Sequence, residues 1–431
     1  TRIEKGAGQG IFLSDSTARL KEVEISENHQ NAIEAQASNL RLRGVTATKN
    51  GGIYQMVIEK CSLMVEKLTI EGARTSKGGL SIEGNMKTIL KKCVVRDHAG
   101  TGLYADSSTL NIIECIFSDN GKGIESLGET QISVSNAKMH IKNCQIMTDK
   151  SSNIGIWIEG GVISLEDVHI ENHQKNGIVV QNADEITIES CQFIRNGSTE
   201  IDGKHFPTIF LKGIKSKTSI TNTLIAEGSS GLYIEGTNVQ TVKGIEIHSN
   251  RYYAMRAYQA EVRMEDVKVY QNLLQKSSDC YQIELYGTRA DISRASVYGA
   301  LRGILIDYWR YVQSECQLNS CAIHDHREYG LVIKERNELL LRDSRLLQNA
   351  QNRDTAQMVV AGKATLERVE IIESAGGGIM IDGEGGLALR SCVVKDNKAY
   401  DLMIKDRIEI QDTILGSPPY QKKESDRNDE G

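Results

Sequence analysis

Proline is scarce in this 431-residue chain, with 3 occurrences against 39 glycines, and two of the three are Pro418 and Pro419. Because proline has no backbone N–H, its scarcity favours strands with unbroken hydrogen bonding, and the glycines allow many tight turns. Helical periodicity is also missing, and no apolar run approaches the roughly eighteen residues of a membrane span. These absences favour an all-β fold and argue against a membrane partner.

A large charge of one sign is missing as well, because the net charge of −6 mixes both signs. We therefore expect no nucleic-acid partner, since such partners need a general positive field. Cysteine occurs nine times, an odd number, without a CxxC pair. This usage predicts a reducing compartment and a cytoplasmic location, or an extracellular one if an upstream signal has been removed.

The sequence does contain a repeat, in which glycine or another small residue precedes an alternating apolar segment. Clear examples are 79–84, 155–160, 231–236 and 378–383. The repeats recur about every 20 to 32 residues, a period typical of solenoids. Each repeat holds two more short alternating segments, which leaves no room for a helix. The pattern predicts a parallel β-helix solenoid of about 17 coils with three short strands per coil.

Two columns of equivalent residues support this register. One column alternates cysteine with valine, which predicts small buried side chains, with a metal or redox site as the alternative. It comprises Cys93, Cys115, Cys144, Val168, Cys191, Val267, Cys321, Val369 and Cys392. Five residues later, a turn column of asparagine and histidine predicts left-handed turn residues and a ladder of stacked amides. It comprises Asn28, Asn50, His98, Asn120, His173, Asn196, Asn250, Asn272, His326, Asn349 and Asn397.

These repeats resemble the right-handed β-helix superfamily typified by pectate lyases, and in particular its carbohydrate-binding and sugar-hydrolase type repeats. The resemblance covers residues 10–415, so we expect a right-handed β-helix over 1–415. The charged tail 416–431, which contains Pro418 and Pro419, is expected to be a disordered linker to further domains. The superfamily includes polysaccharide lyases, uronan epimerases, phage tailspikes and non-catalytic modules of intracellular proteins.

The catalytic signatures of the enzyme branches, such as Gly-His-Gly and Asp-Pro-His, do not occur in this chain. A non-enzymatic binding or scaffolding module of a larger multidomain protein is therefore the favoured function, with a protein or polysaccharide partner and no cofactor. The alternative is a polysaccharide lyase or glycoside hydrolase that acts on a uronic-acid polysaccharide. In this superfamily, ligands lie along the outer face of the first strand, which the repeat pattern identifies.

The outward positions of that strand predict a binding face rich in aromatic and acidic side chains. Aromatic faces flanked by carboxylates suit sugars, and exposed apolar surface marks interaction sites. The alternative is that loops after the third strand cover this face. The predicted binding residues are Tyr104, Trp157, Glu159, Phe210, Tyr233, Glu235, Tyr258 and Tyr286. Ten of the fifteen tyrosines fall between Tyr252 and Tyr329, which predicts an aromatic interface or simple stacking between coils.

If the chain is an enzyme, Glu284 and Asp307 are the predicted catalytic carboxylates, because they project from successive coils on the same face. Arg256 precedes Glu284 by one coil and is the predicted uronate-binding or pKa-lowering group. The alternative is a surface ladder of alternating charge. The His324-Asp325-His326 segment lacks a third metal ligand, so no metal site is expected.

Overall fold

The computed structural model of the chain describes residues 1–72, 78–121, 130–149, 152–198, 205–236, 240–273, 280–404, 408–418 and 420–421. All regular elements in these residues are β-strands, arranged as a right-handed parallel β-helix of about 17 turns, which confirms the predicted fold class. Over these same residues, no helix is long and apolar enough to cross a membrane. Most of the expected linker, residues 422–431, lies outside the described residues, so that expectation stays a prediction.

The chain divides into two units, Thr1–Ser229 and Ser230–Gly431. In each unit, every strand pairs in parallel with its equivalent one coil away. For example, Ile156 of one first strand lies opposite Ile178, and Ile178 lies opposite Ile209. The alternation within a strand places these isoleucines in a core with no solvent exposure. The predicted in-and-out pattern is therefore confirmed.

In unit 1, the first strands are Ile11–Ser14, Ile33–Gln36, Tyr54–Glu59, Gly78–Glu83, Leu103–Asp106, Thr130–Ser135, Ile154–Glu159, Asn176–Gln181 and Pro207–Lys212. Three long strands each cover the second and third positions, Thr17–Ser26, Asn39–Thr48 and Ser62–Glu71. The remaining second strands are Lys87–Lys91, Thr109–Ile113, Lys138–Lys142, Val162–Glu166, Glu185–Glu189 and Lys217–Thr221. The remaining third strands are Arg2–Glu4, Val94–Arg96, Ile116–Ser118, Gln145–Met147, His169–Glu171, Gln192–Ile194 and Leu224–Ala226.

In unit 2, the first strands are Ser230–Glu235, Met255–Tyr258, Ile283–Tyr286, Arg302–Asp307, Tyr329–Ile333, Ala356–Val360, Gly377–Ile381, Tyr400–Ile404 and Tyr420–Gln421. The second strands are Gln240–Lys243, Glu261–Glu265, Arg289–Ser293, Glu315–Asn319, Glu338–Arg342, Lys363–Glu367, Gly386–Arg390 and Ile408–Gln411. The third strands are Glu246–His248, Lys268–Tyr270, Ser296–Tyr298, Ala322–His324, Arg345–Leu347, Glu370–Ile372, Val393–Lys395 and Ile414–Leu415.

The cysteine column is buried, as predicted, and its thiols are free. Its members stand just before the third strand, at the corner, rather than on the strand itself. There, sulfur takes part in the interstrand hydrogen bonds. The Cys93 N–H donates to Cys115 Sγ, and the Cys115 N–H donates to Cys144 Sγ, both at 3.3 Å.

The turn column is buried and hydrogen-bonded from coil to coil, which confirms the ladder. The Asn28 amide donates to Asn50 Oδ1 at 2.9 Å, and His98 Nδ1 lies 2.8 Å from Asn120 Oδ1. The predicted left-handed conformation belongs instead to the residue before each ladder member, such as Glu27 with φ 56°. This residue makes the turn, so the amide that follows it is free to point inward.

Buried glutamines in the first strands, or just before one in the case of Gln282, also bond to the ladder. They are Gln55, Gln131, Gln282 and Gln357. Gln357 Oε1 accepts from Asn349 Nδ2 at 3.0 Å, and its Nε2 donates to Asn397 Oδ1 at 2.9 Å. Between those two asparagines, the coil has Ser374 at the ladder position. The glutamine therefore bridges a coil that lacks a ladder amide.

Candidate functional site

The outer face of the first strands in unit 1 carries the predicted residues Tyr104, Trp157, Glu159 and Phe210. Trp157 and Phe210 lie in one column with Val179 between them, two coils apart. Both rings are partly exposed, whereas Val179 is buried. The structure thus brings Trp157 and Phe210 into one apolar stripe.

The other two predicted residues of unit 1 have partners of their own. Tyr104 stacks with Tyr54, with ring centroids 6.3 Å apart and an interplanar angle of 29°. Glu159 accepts a hydrogen bond from Asn182 Nδ2 at 2.8 Å. Both side chains remain partly exposed at the surface.

In unit 2, the same face has two columns in the predicted register. Tyr233, Arg256, Glu284 and Leu305 occupy one column on successive coils. Glu235, Tyr258, Tyr286 and Asp307 occupy the other. The predicted binding residues of unit 2 and the three predicted catalytic residues therefore lie on adjacent coils of one sheet.

Aromatic rings cluster at the centre of this surface. Tyr258 and Tyr286 stack at 4.8 Å with an interplanar angle of 9°, and Tyr233 lies 5.6 Å from Tyr258. Trp309 packs edge-on against this pair, 4.8 Å from Tyr258 and 6.3 Å from Tyr286. Tyr233 also donates its hydroxyl to Glu235 at 2.9 Å. All of these rings are half-buried.

Trp309 was not among the predicted first-strand binding residues, although it lies within the tyrosine-rich stretch 252–329 for which the sequence predicted an aromatic interface or simple stacking. It belongs to the segment 308–314 between a first and a second strand, whereas the two preceding coils use only two residues at this corner. Trp309 and Val312 exchange backbone hydrogen bonds at 2.9 and 2.8 Å, which folds the segment back. Tyr311 is 89% exposed at its tip. The unusual spacing after Asp307 was the available sequence signal.

Beneath the aromatic rings lies a buried ion pair. Glu284 is only 1% exposed, and its Oε2 lies 2.6 Å from Arg256 Nε. Its carboxylate also accepts the Tyr281 N–H at 2.8 Å and the Tyr286 hydroxyl at 3.1 Å. The Arg256 guanidinium lies 4.2 Å from the centre of the Tyr253 ring. Glu284 is thus saturated by cationic and hydrogen-bonding partners from this unit.

Protonation states follow from this packing. Burial opposes the charge of Arg256, but the Glu284 carboxylate and adjacent tyrosines raise its pKa above the ordinary value, so the guanidinium stays charged. Burial, with the nearby Glu284 carboxylate, raises the pKa of Tyr286. Burial also raises the pKa of Tyr258. Both phenols therefore remain protonated, and the Tyr286 hydroxyl donates to Glu284.

The predicted catalytic pair falls in two different environments. Asp307 lies opposite Tyr286, diagonal to Glu284, and accepts the Tyr308 N–H at 2.8 Å. Burial raises the pKa of Asp307. Asp307 is partly exposed, whereas Glu284 is enclosed. A catalytic role for Glu284, Asp307 and Arg256 stays a prediction, and it would require the aromatic residues to move off Glu284.

Further along unit 2, the outward apolar column is covered. Leu305, Val332 and Val359 form a buried cluster with Tyr281 and Ala356. Further aromatic and sulfur-containing side chains pack against this cluster, namely Tyr286, Tyr329, Met380 and Tyr400. The alternative of a covered face therefore holds here. Tyr329 and Tyr400 begin first strands, Tyr281 stands just before one, and Tyr286 ends one. The loop 271–280 after a third strand lies mostly outside the described residues, so covering by that loop stays a prediction.

Potential metal ligands are dispersed. In the described part of the chain, no group of three or more histidine, cysteine or acidic side chains is placed to hold a metal ion. His326 is buried in the ladder, with Nδ1 2.7 Å from Asn349 Oδ1. His324 lies on the outer face and bonds to Asp325 at 2.6 Å.

The family model described as "Right handed beta helix region" matches residues 1–139, 152–309, 207–354 and 281–413. No curated protein sequence is similar to the chain. Among solved structures, the Azotobacter vinelandii mannuronan C-5 epimerase AlgE6 A-module is 13% identical, with 94% of this chain and 91% of that chain covered and a TM-score of 0.40. The Dettilon tailspike protein (gp208) is 9% identical, with 76% and 62% covered and a TM-score of 0.39. Similarity at this level does not extend to the chemistry of a site.

Proposed function

Because the chain belongs to the right-handed β-helix family, we propose that it is a non-enzymatic binding module that holds a glycan against the first-strand face of unit 2. The observation that supports this most is the half-exposed aromatic cluster of Tyr258, Tyr286 and Trp309. Aromatic rings supply contact area at low entropic cost, and the hydroxyls add polar handles.

Acidic groups beside the rings supply the hydrogen-bond acceptors that sugar hydroxyls need. Glu235 and Asp307 stand in the same column as Tyr258 and Tyr286, at its two ends, and both are partly exposed. The buried Arg256–Glu284 pair fixes the Tyr286 hydroxyl from below. Ligand groups would therefore meet a rigid surface, which reduces the entropy lost on binding.

Enclosure of Glu284 favours binding over hydrolysis. A glycosidic reaction needs two carboxyl groups that both reach the scissile bond. Here Glu284 is 1% exposed and already holds an arginine and two hydrogen-bond donors. Its role in this proposal is to position the aromatic face.

The test is a titration of the full chain, in a Trp157→Phe background, with a panel of neutral and acidic oligosaccharides. Binding is measured by the fluorescence of Trp309. We expect saturable quenching that weakens at least about tenfold in Tyr258→Ala, since a buried aromatic contact contributes about 1 to 2 kcal/mol. Tyr270→Ala is the matched control, because Tyr270 is stacked against Tyr298 on the third-strand face of the same unit.

Two results would overturn this proposal. One is equal affinity of Tyr258→Ala and the unsubstituted chain for every glycan bound. The other is turnover, measured as released reducing ends or unsaturated uronates, which Glu284→Gln or Asp307→Asn abolishes. That second result would establish the predicted catalytic pair and make the chain an enzyme.

A further inference from the structure

A second surface of unit 1 carries an unbalanced positive charge. It is the outer face of four neighbouring second-strand segments, 17–21, 39–43, 62–66 and 87–91. We call it the basic face. Its six exposed cations are Arg19, Lys21, Arg41, Arg43, Lys87 and Lys91. The only carboxylate in the four segments is Glu66.

Strand register forces these like charges together. Arg19 lies opposite Arg41, and Lys21 lies opposite Arg43. Equivalent residues of neighbouring strands are about 4.8 Å apart, so each pair repels. Arg43 is partly neutralised by Glu66 at 3.3 Å. Across the described ranges, the other five cations form no ion pair with a carboxylate.

The equivalent face of unit 2 shows that this imbalance is not a general property of the fold. There, Arg289 lies 3.7 Å from Glu315, and Lys363 lies 3.2 Å from Glu338. Arg263 lies 3.7 Å from Glu261 on its own strand. Charges of both signs are mixed along that face, where the column reads Glu261, Arg289, Glu315, Glu338 and Lys363, as expected of a surface that only needs to be soluble.

We propose that the basic face binds a linear anionic polysaccharide whose chain runs along the solenoid axis. A groove passes over it between Arg19, Arg41, Met64 and Lys87. Sugar residues of a linear chain advance by about one coil spacing, so two successive carboxylate or sulfate groups would meet Arg19 and Arg41. The same column continues with the apolar Met64 and Ile89. Each arginine offers paired N–H donors that match such groups.

The side chains around the cations favour a sugar over a nucleic acid. Single-stranded nucleic acids bind where a positive groove also carries aromatic rings for base stacking. The four segments of the basic face contain no aromatic residue. They carry Thr17, Asn39 and Ser62 in the column beside Arg19 and Arg41, and all three are exposed. Hydroxyl and amide groups of this kind hydrogen-bond to sugar hydroxyls.

Biolayer interferometry with the full chain tests this proposal, using immobilised polygalacturonate and sulfated dextran, with neutral dextran as the blank. We expect binding to both anionic polymers at low salt and a steep loss as sodium chloride is added. Arg19→Gln with Arg41→Gln should weaken binding about tenfold, since each exposed charge contributes up to about 1 kcal/mol. Arg263→Gln with Arg289→Gln removes the same charge from unit 2 and should leave binding within about twofold of the unsubstituted chain.

Three outcomes would overturn this assignment. The first is that the chain binds neither anionic polymer. The second is that both double variants lose the same fraction of polymer binding. The third is that the chain binds single-stranded DNA or anionic lipid vesicles but not the polysaccharides. The proposal does not rest on the first-strand site. Trp309 fluorescence reports the first-strand site of unit 2, and its quenching by oligosaccharides should be unchanged in Arg19→Gln with Arg41→Gln, so the failure of one proposal is distinguishable from the failure of the other.

Discussion

Arg256 and Glu284 show how strongly one buried pair constrains the candidate face. Removing one partner of a buried ion pair leaves an uncompensated charge, which costs about 3 to 5 kcal/mol. Glu284 is the more enclosed partner. We therefore expect Arg256→Ala to lower the free energy of unfolding by about 3 kcal/mol in urea titrations.

The double variant Arg256→Met with Glu284→Met removes both charges and should regain most of that loss. Asp343→Ala is the control, because Asp343 and Arg368 form an ion pair with both side chains about half exposed. It should change stability by less than about 1 kcal/mol. A loss in Arg256→Ala no larger than in this control would show that the pair is solvated.

The cysteines provide a second measurement at single positions. Burial raises the pKa of Cys191 to about 12 and that of Cys321 to about 11, so neither forms a reactive thiolate near neutral pH. Cys280 is the one cysteine that is not fully buried. We expect iodoacetamide to label Cys280 first in the native chain, and the other eight only on unfolding. Rapid native labelling of Cys93, Cys115 or Cys144 would contradict the register.

Substitution of Cys115 tests the same column energetically. Cys115→Val should change stability by less than about 1.5 kcal/mol, because Val168 and Val267 occupy equivalent buried positions. Cys115→Asp should destabilise by several kcal/mol, since it buries an unpaired charge. The measurement is the urea midpoint of each variant. Equal midpoints for the two substitutions would place this position at the surface.

The role of the buried glutamines that bond to the ladder could not be predicted from the sequence. The repeat pattern assigned no role to Gln282 or Gln357. Their function depends on a missing amide on another coil, such as the one with Ser374, and only the folded arrangement brings those positions together. The same limit applied to the turn column, whose left-handed residue was placed one position too late.

Gln357 offers a direct test of this bridging role. Its buried side chain bonds to Asn349, Asn397 and the Ile372 carbonyl. Gln357→Leu removes these bonds and leaves buried partners unsatisfied, at about 1 kcal/mol or more for each. We expect a loss of about 3 kcal/mol in urea titrations. Lys363→Leu, at an exposed position of the next strand, should change stability by less than about 1 kcal/mol.

The ladder histidines make stability depend on pH. Burial lowers the pKa of His98, His173 and His326 to about 4 from an ordinary 6.5. The unfolded chain therefore binds protons that the folded chain does not. The contribution of the three neutral rings to the free energy of unfolding is complete above pH 6.5, and it is lost as the pH falls from 6.5 towards 4. Each histidine should cost about 2 kcal/mol of stability at pH 5 relative to pH 8.

His173→Asn isolates one of these contributions. Asparagine occupies most other ladder positions, and His173 Nε2 contacts no partner among the described residues. The variant should keep its stability at pH 8 and lose about 2 kcal/mol less than the unsubstituted chain at pH 5. An unchanged pH dependence would show that this ring is protonated in the folded chain.

Across the whole molecule, the fold was predictable because one signal recurs in every coil. Strand alternation, the buried cysteine column and the ladder each repeat many times, so local ambiguity averages out. The candidate site has no such redundancy. Burial of Glu284 depends on Tyr281, Tyr286 and Arg256 closing around it. Trp309 reaches the site from the segment 308–314, which among the described strands is the longest connection between a first and a second strand.

Stability of the two units is separable by experiment because the chain has two tryptophans, Trp157 in unit 1 and Trp309 in unit 2. Each coil of a solenoid bonds only to its neighbours, so a local loss of stability fades along the chain. Phe117→Ala empties a fully buried position of unit 1 and should cost about 3 to 5 kcal/mol. In a Trp309→Phe background, the urea transition is reported by Trp157. The free energy of unfolding obtained from this transition should fall by about 3 to 5 kcal/mol. In a Trp157→Phe background, the transition reported by Trp309 should move much less.

Ile323→Ala, at a fully buried position of unit 2, should give the reverse result. The transition reported by Trp309 should then shift more than the transition reported by Trp157. Equal shifts of both tryptophan transitions in both variants would instead make the chain a single cooperative unit.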